Sequence, residues 1–174
     1  MGSILFTNLA IISALRLDVE FLNFFYKRLE RNDTENYNEE FPFLSRCGRE
    51  LNFIRCDDTP VVYTKLFPTN STPDTTQISL EQLFSTSAEP FELHFGGNLT
   101  VDFEPELLEM TGSGRLYYPT PPLYSQLQDE MPLTLVASPL ALALGQRLRF
   151  GDDVTILDWQ GDEVEVKIRL DDED

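Results

Sequence analysis

Residues 46–56 read Arg-Cys-Gly-Arg-Glu-Leu-Asn-Phe-Ile-Arg-Cys, gathering three arginines, two cysteines and an asparagine in one short stretch. A planar guanidinium takes carboxylate or phosphate through paired, charge-assisted hydrogen bonds. Cations beside a thiol favour the thiolate, which is the nucleophilic form. Cys47, next to Arg46 and two residues before Arg49, has that setting. Cys56 precedes Asp57 and Asp58, which act in the opposite sense. Cys47, Arg49, Asn52 and Arg55 are therefore the candidate ligand-binding set, for a carboxylate or phosphate, with Cys47 as a candidate reactive thiol. Each has a structural alternative. Cysteine is among the most often buried residues. If 50–56 is extended, Arg55 shares a face with Leu51 and Phe53, opposite Asn52, Ile54 and Cys56. A cation there needs an internal carboxylate or a ligand, and Glu50, Asp57, Asp58 and the acidic stretch 33–40 all offer carboxylates.

Other chemistry is sparser. An extended 50–56 segment carries the chain about 20 Å, of which residues 47–50 can recover at most about 10 Å. The remainder exceeds the roughly 7 Å α-carbon limit of a disulfide, so Cys47 and Cys56 are expected to be unbridged. Two separated thiols and the single histidine, His94, are too few ligands for zinc, and neither a metal nor a cofactor is expected. His94 faces Thr100 and, diagonally, Asp102 on a hairpin, which fits either a His–carboxylate dyad or an ordinary polar strand face. Gly112-Ser113-Gly114 reads as a turn, and no P-loop, HExxH, GxSxG or paired CxxC occurs. Enzyme status stays open, with no catalytic residue assigned and a non-catalytic role favoured.

The elements that must position these groups follow from periodicity. Leu17, Phe21, Phe24, Phe25 and Leu29 recur at helical spacing and predict a helix over 17–32, capped by Asp18, stapled by Leu17 and Leu22 and ended by Asn32. Strands are predicted at 50–56 and 61–67, and a short helical turn with a Ser79–Gln82 capping box at 79–84. A hairpin follows at 91–103, where Phe91, Leu93 and Phe95 alternate with polar residues and Gly96-Gly97-Asn98 makes the turn. Further strands are predicted at 114–119 and, around Gln160-Gly161-Asp162, at 154–159 and 163–170. A helix is predicted from Ser138, with Pro139 at its first position and Gly151 after its end. Short turns between most strands favour antiparallel pairing. The expected fold class is α+β: a single domain over 1–170, with a curved, mainly antiparallel sheet of hairpins, an N-terminal helix and a second helix near the C-terminus. Residues 68–78 are expected to be a mobile Ser/Thr/Pro-rich loop and 171–174 an acidic tail.

With 174 residues the chain can bury a core of its own. Its formal charge is −17, unevenly placed: residues 1–65 carry 8 basic and 10 acidic side chains, and residues 66–174 carry 5 and 20. Such a charge disfavours nucleic acid and anionic membranes. No apolar run is long enough to span a bilayer, so no membrane insertion is expected. Two cysteines, with no secretory signal or targeting peptide read at the start, fit an intracellular location. Asn32, Asn70 and Asn98 begin formal glycosylation triplets, read as coincidental in that compartment. A protein partner or a small anionic ligand is the expected binding partner.

Residues 41–66, FPFLSRCGRELNFIRCDDTPVVYTKL, resemble the signature of uncharacterised protein family 0598, a domain of unknown function. Phe-Glu-Pro at 103–105, GRLYYPTP at 114–121 and LDWQG at 157–161 follow in the family's order. The resemblance implies a small α+β domain and, for animal members, a mitochondrial association. It carries no established reaction and so no catalytic residues. Members begin with an aromatic strand before the Leu-Phe matched by Leu5-Phe6, so by this comparison the chain looks shortened at its start or lacks a first strand. Arg46 stands where many members have proline, and Tyr118 where animal members commonly have histidine.

Overall fold

Asp18 opens the first described helix: its carboxylate accepts from the Glu20 N–H at 2.9 Å, and α1 runs Val19–Tyr26. The structure, a computed structural model, describes residues 3–7 (backbone), 18–69, 90–127, 131–152 and 154–169. Leu17 of the expected staple, the turn and capping box at 79–84, most of the 68–78 loop and the 171–174 tail lie outside the described residues. The chain divides into two units, one from residues 1–62, 95–99 and 120–134, the other from 63–94, 100–119 and 135–174.

In the first unit, β1 (Ser3–Thr7), β2 (Leu29–Arg31), β3 (Phe43–Cys47) and β4 (Glu50–Arg55) form a sheet ordered β1-β4-β3-β2. The helix predicted over 17–32 is thus cut short. Lys27 N–H closes on Asn23 O at 3.0 Å and Arg28 N–H on Phe25 O at 3.1 Å, a tightened last turn. Leu29 then leaves the helix and pairs with Ser45 on β3. A leucine four residues after Phe25 suits a helical stripe and a strand facing the same core equally well, and Leu29 is buried either way. Pairing with β3 decides between them.

β4 runs between antiparallel β3 and parallel β1, with Ser3–Thr7 beside Leu51–Arg55. Helix α1 covers one face of this sheet, where Ser45 Oγ donates to Phe25 O at 2.7 Å. The 33–41 loop covers the other, where the Tyr37 ring meets Phe53 edge-on at 5.3 Å above the buried cluster of Phe41, Leu44 and Phe53. Cover on both faces is why Asn52, Phe53 and Ile54 are buried in succession.

The Gly96–Asn98 turn lies against the flank of α1. Asn98 N–H donates to Asn23 Oδ1 at 3.0 Å, and the Asn23 amide returns a hydrogen bond to Asn98 Oδ1. The glycines are required by proximity: a Cβ on Gly97 would stand 2.6 Å from Val19 O, and one on Gly96 2.9 Å from the Tyr26 ring.

The second unit holds most of a nine-stranded sheet ordered β11-β12-β13-β8-β9-β10-β5-β6-β7. Its strands are β5 (Val62–Pro68), β6 (Phe91–Phe95), β7 (Leu99–Phe103), β8 (Glu109–Thr111), β9 (Leu116–Pro119), β10 (Leu133–Val136), β11 (Leu148–Phe150), β12 (Thr155–Trp159) and β13 (Asp162–Arg169). Gln160 (φ 54°) and Gly161 (φ 93°) make the two-residue turn of the last hairpin, both in the left-handed region that a twisted hairpin favours. β8 pairs with β13 in parallel, which short-turn reasoning does not reach. Helix α2 covers Ser138–Gly145, shorter than predicted, because Leu148–Phe150 pairs with Thr155–Leu157 instead of extending the helix. An aromatic series fills the interior of this unit. Phe91 and Phe103 each meet Trp159 at 5.0 Å, Phe103 meets Tyr118 at 5.4 Å, and Tyr118 meets Tyr63 at 5.7 Å. The two phenols are satisfied: Tyr63 donates to Pro119 O at 2.6 Å and Tyr118 to Asp102 O at 3.1 Å.

The fold is α+β, with antiparallel and mixed sheets and a helix near each end of the chain, as the sequence pattern predicts. No helix among the described residues is long and apolar enough to cross a membrane.

Candidate functional site

The arginine-bearing segment is the β3–β4 hairpin. Cys47 pairs with Glu50 across a two-residue turn of Gly48 and Arg49, and Gly48 at φ 66° supplies the left-handed residue the turn requires. The register sets the faces. Phe43, Ser45 and Cys47 share a side with Glu50, Asn52 and Ile54; Leu44 and Arg46 share the other with Leu51, Phe53 and Arg55. The alternation read from the sequence therefore holds, and it separates the candidate set. Cys47 and Asn52 lie on the helix-covered face, Arg49 lies in the turn, and Arg55 lies on the opposite face at the far end of β4. The four side chains do not converge on one pocket.

Cys47 and Asn52 enter a polar chain that joins sheet to helix. Asn52, 2% exposed, donates from Nδ2 to Ser45 O at 3.1 Å. Ser45 Oγ, besides its bond to Phe25 O, lies 3.6 Å from Cys47 Sγ. Asn52 is in this respect a structural amide, holding the two strands where they receive α1. The last helical carbonyls are met by three side chains: Arg28 donates to Phe24 O at 3.2 Å, Ser45 to Phe25 O and Tyr124 to Tyr26 O at 2.8 Å. Helix ends leave such carbonyls without intrahelical partners, and no sequence pattern of α1 alone names Ser45 or Tyr124 as their donors.

The arginines differ. Arg46 pairs with Glu30 on the neighbouring strand, a partner outside the carboxylates that the sequence offered to this segment. Arg49 and Arg55 are exposed and make no ion pair among the described residues. Arg55 follows two apolar residues on its face, and at the strand's end it is exposed. Both cysteines are free thiols. Burial, then the charges of Asp58 and Asp57, push the Cys56 thiol up to about 11. Among the described residues no group of three or more His, Cys, Asp or Glu side chains could hold a metal ion.

A second feature lies where β2 ends. Arg31, Asn32, Asp33, Asn38 and Pro42 line an open cleft of about 280 Å³. Asn32 organises it. Its Nδ2 donates to Asn36 O at 3.0 Å and Phe41 O at 2.8 Å, while its Oδ1 accepts from Thr34 N–H at 3.2 Å and Thr34 Oγ1 at 2.5 Å. All four hydrogen-bonding positions of this buried amide are used, and its backbone N–H donates to Pro42 O at 2.8 Å. The sequence suggests a helix-ending asparagine at this place; the residue instead folds the loop that covers the sheet. Arg31 Nε stands 3.7 Å from Asp33 Oδ1 at the mouth of the cleft.

In the second unit, His94 is half-buried and meets Phe67 edge-on at 5.0 Å. Burial lowers its pKa, Glu92 opposes that shift and Lys65 adds to it. The charges acting on the imidazole thus come from its own strand and from β5, not from Asp102.

The family model described as "Domain of unknown function (DUF4505)" matches residues 8–171, and the chain belongs to that family. A crystal structure of a DUF1285 family protein from Silicibacter pomeroyi DSS-3 is similar to this chain at a TM-score of 0.43 and 11% identity, over 86% of this chain and 69% of that one.

Proposed function

We propose that the chain is a non-catalytic binding or accessory domain that meets a protein partner through the arginines of its β3–β4 hairpin. One observation carries this reading. Arg49 and Arg55 are both exposed, yet one stands in the hairpin turn and the other at the far end of β4 on a defined face. Five residues of extended chain separate strand positions by roughly 17 Å, which suits an acidic protein surface better than one small anion. Exposed cations of this kind act on association rate and partner choice more than on raw affinity. The test is affinity capture followed by titration of the recovered partner against the wild-type chain and Arg49→Ala/Arg55→Ala. The double variant is expected to bind at least about tenfold more weakly at low salt, with the difference shrinking as salt rises. Equal affinity of the two chains at all salt concentrations overturns the reading.

The alternative, a small carboxylate or phosphate ligand, is favoured by the proximity of Cys47, a free and partly exposed thiol, to Arg49 across Gly48. It uses Arg49 and Cys47 alone, with Asn52 as support and Arg55 apart. Protection of Cys47 from alkylation by an anionic metabolite, lost in Arg49→Ala, would favour it over the first reading. Mitochondrial residence, implied by the likeness to family 0598, belongs to the same proposal, and subcellular fractionation of the full-length protein tests it.

A further inference from the structure

We propose that Tyr37, in the 33–41 loop, is a phosphorylation site for a tyrosine kinase, and that the phosphate loosens this loop's cover over the sheet. The site uses neither Arg49 nor Arg55 and stands apart from the hairpin reading.

Access is the first argument. All six tyrosines lie among the described residues, and Tyr37 alone is exposed, at 53%. Tyr26, Tyr63, Tyr118 and Tyr124 are buried. Tyr117 is half-buried and pairs with Glu109 of β8, so its neighbours are held in a sheet. A protein kinase must grip the residues around its acceptor as well as the acceptor itself. Residues 35–40 are exposed without a break and belong to no helix or strand. The Tyr37 phenol has no hydrogen-bond partner among the described residues. Thr34, the other hydroxyl of the loop, is committed: it donates to Asn32 Oδ1 at 2.5 Å and accepts from the Asn36 N–H at 3.3 Å.

Backbone and charge point the same way. Tyr37 has φ 57°, in the left-handed region that a bulky side chain rarely occupies. Such departures gather at functional segments. Asp33, Glu35, Glu39 and Glu40 surround it in sequence, which suits a kinase with a basic substrate groove.

The chemistry is a phosphoryl transfer from ATP. The phenolic oxygen bonds to the γ-phosphorus as the bond to the β-phosphate oxygen breaks. ADP leaves, and the phenolic proton passes to the catalytic aspartate of the kinase. The product carries about −1.5 to −2 charge near neutral pH, and beside carboxylates such a charge acts by repulsion. It arrives where the loop covers the sheet. The Tyr37 ring meets Phe53 edge-on at 5.3 Å and Phe41 at 6.3 Å. Its carbonyl accepts from the Glu40 N–H at 3.2 Å and the Phe41 N–H at 2.7 Å. Repulsion from the four carboxylates pulls against these contacts.

The experiment treats the full chain with Mg-ATP and the purified catalytic domain of a tyrosine kinase of acidic substrate preference, then maps phosphate by tandem mass spectrometry. Phosphate is expected at residue 37. Tyr37→Phe, which keeps the ring, should lower total incorporation at least about tenfold, and Tyr117→Phe should leave it unchanged. Hydrogen exchange of the phosphorylated chain then reads the consequence. The amides of Glu40 and Phe41 should exchange at least about threefold faster than in the unmodified chain, with a smaller difference at high salt. Three outcomes overturn the proposal: no phosphate at residue 37, equal incorporation by Tyr37→Phe and wild type, or exchange at Glu40 and Phe41 unchanged or slowed. None of these bears on the Arg49/Arg55 titration, so the two proposals fail separately.

Discussion

The Tyr124 phenol donates to the Tyr26 carbonyl at 2.8 Å, joining residues 98 apart in sequence at the last turn of α1. Tyr124 is buried to 1% exposure, so that carbonyl has this hydroxyl in place of water. Tyr124→Phe keeps the ring and its contact with Phe95 but leaves the buried acceptor without its phenol donor. Stability should fall by about 1–3 kcal/mol. Urea unfolding is the measurement, with the midpoint lowered and the slope unchanged.

Two glycines should respond to alanine in opposite directions. At Gly97 the added Cβ would meet backbone, Val19 O at 2.6 Å, which cannot rotate away; a loss of roughly 1–3 kcal/mol is expected. At Gly145 nothing lies within 4 Å and the residue ends helix α2. Alanine there should be neutral or stabilising by up to about 1 kcal/mol. Thermal unfolding of the two variants side by side checks both signs.

Cys56 should be a slow thiol. Its pKa, pushed up to about 11 chiefly by burial and then by Asp58 and Asp57, leaves little thiolate near neutrality. In Cys47→Ser, reaction with a disulfide reagent at about pH 8 should run about a hundredfold slower than for free cysteine. The linkage follows the same shift: stability from the protonated thiol is full below the ordinary value of 9.0 and is lost as pH rises from there toward about 11. A Cys56→Ala chain should lack that alkaline component.

His94 gives the opposite dependence. Its folded pKa lies below the ordinary 6.5, mainly through burial, so the unfolded chain binds the proton more readily. The contribution is present above about pH 6.5 and lost as pH falls through the lowered value. Replacing His94 with glutamine should flatten the decline in unfolding midpoint as pH falls below 6.5, relative to wild type.

Local pattern carried much of this fold. Phe91, Leu93 and Phe95 alternate into the core, and Gly96-Gly97-Asn98 and Gln160-Gly161 turn where their conformational freedom predicts. The faces of β4 were also legible, since Leu51, Phe53 and Arg55 do oppose Asn52 and Ile54. What escaped depends on distant partners. Leu29 fits two periodicities, and only β3 selects the strand. β1 and β4 pair in parallel across more than forty residues, which no turn signal announces. Alternation places Arg55 on the face of Leu51 and Phe53 without saying where the cover stops, and Arg55 is exposed. Asn32 resembled a helix end because its true partners, Asn36 and Phe41, lie in a loop whose path is set by the sheet beneath it.

The pairing of Ser3–Thr7 with Leu51–Arg55 has a consequence for biosynthesis. The β3–β4 hairpin can zip as soon as it leaves the ribosome, but the strand made first must wait for the one made nearly fifty residues later. At translation rates of about 5–20 residues per second that delay is on the order of several seconds. Throughout it an unpaired strand edge is open to chaperones, and to other nascent chains.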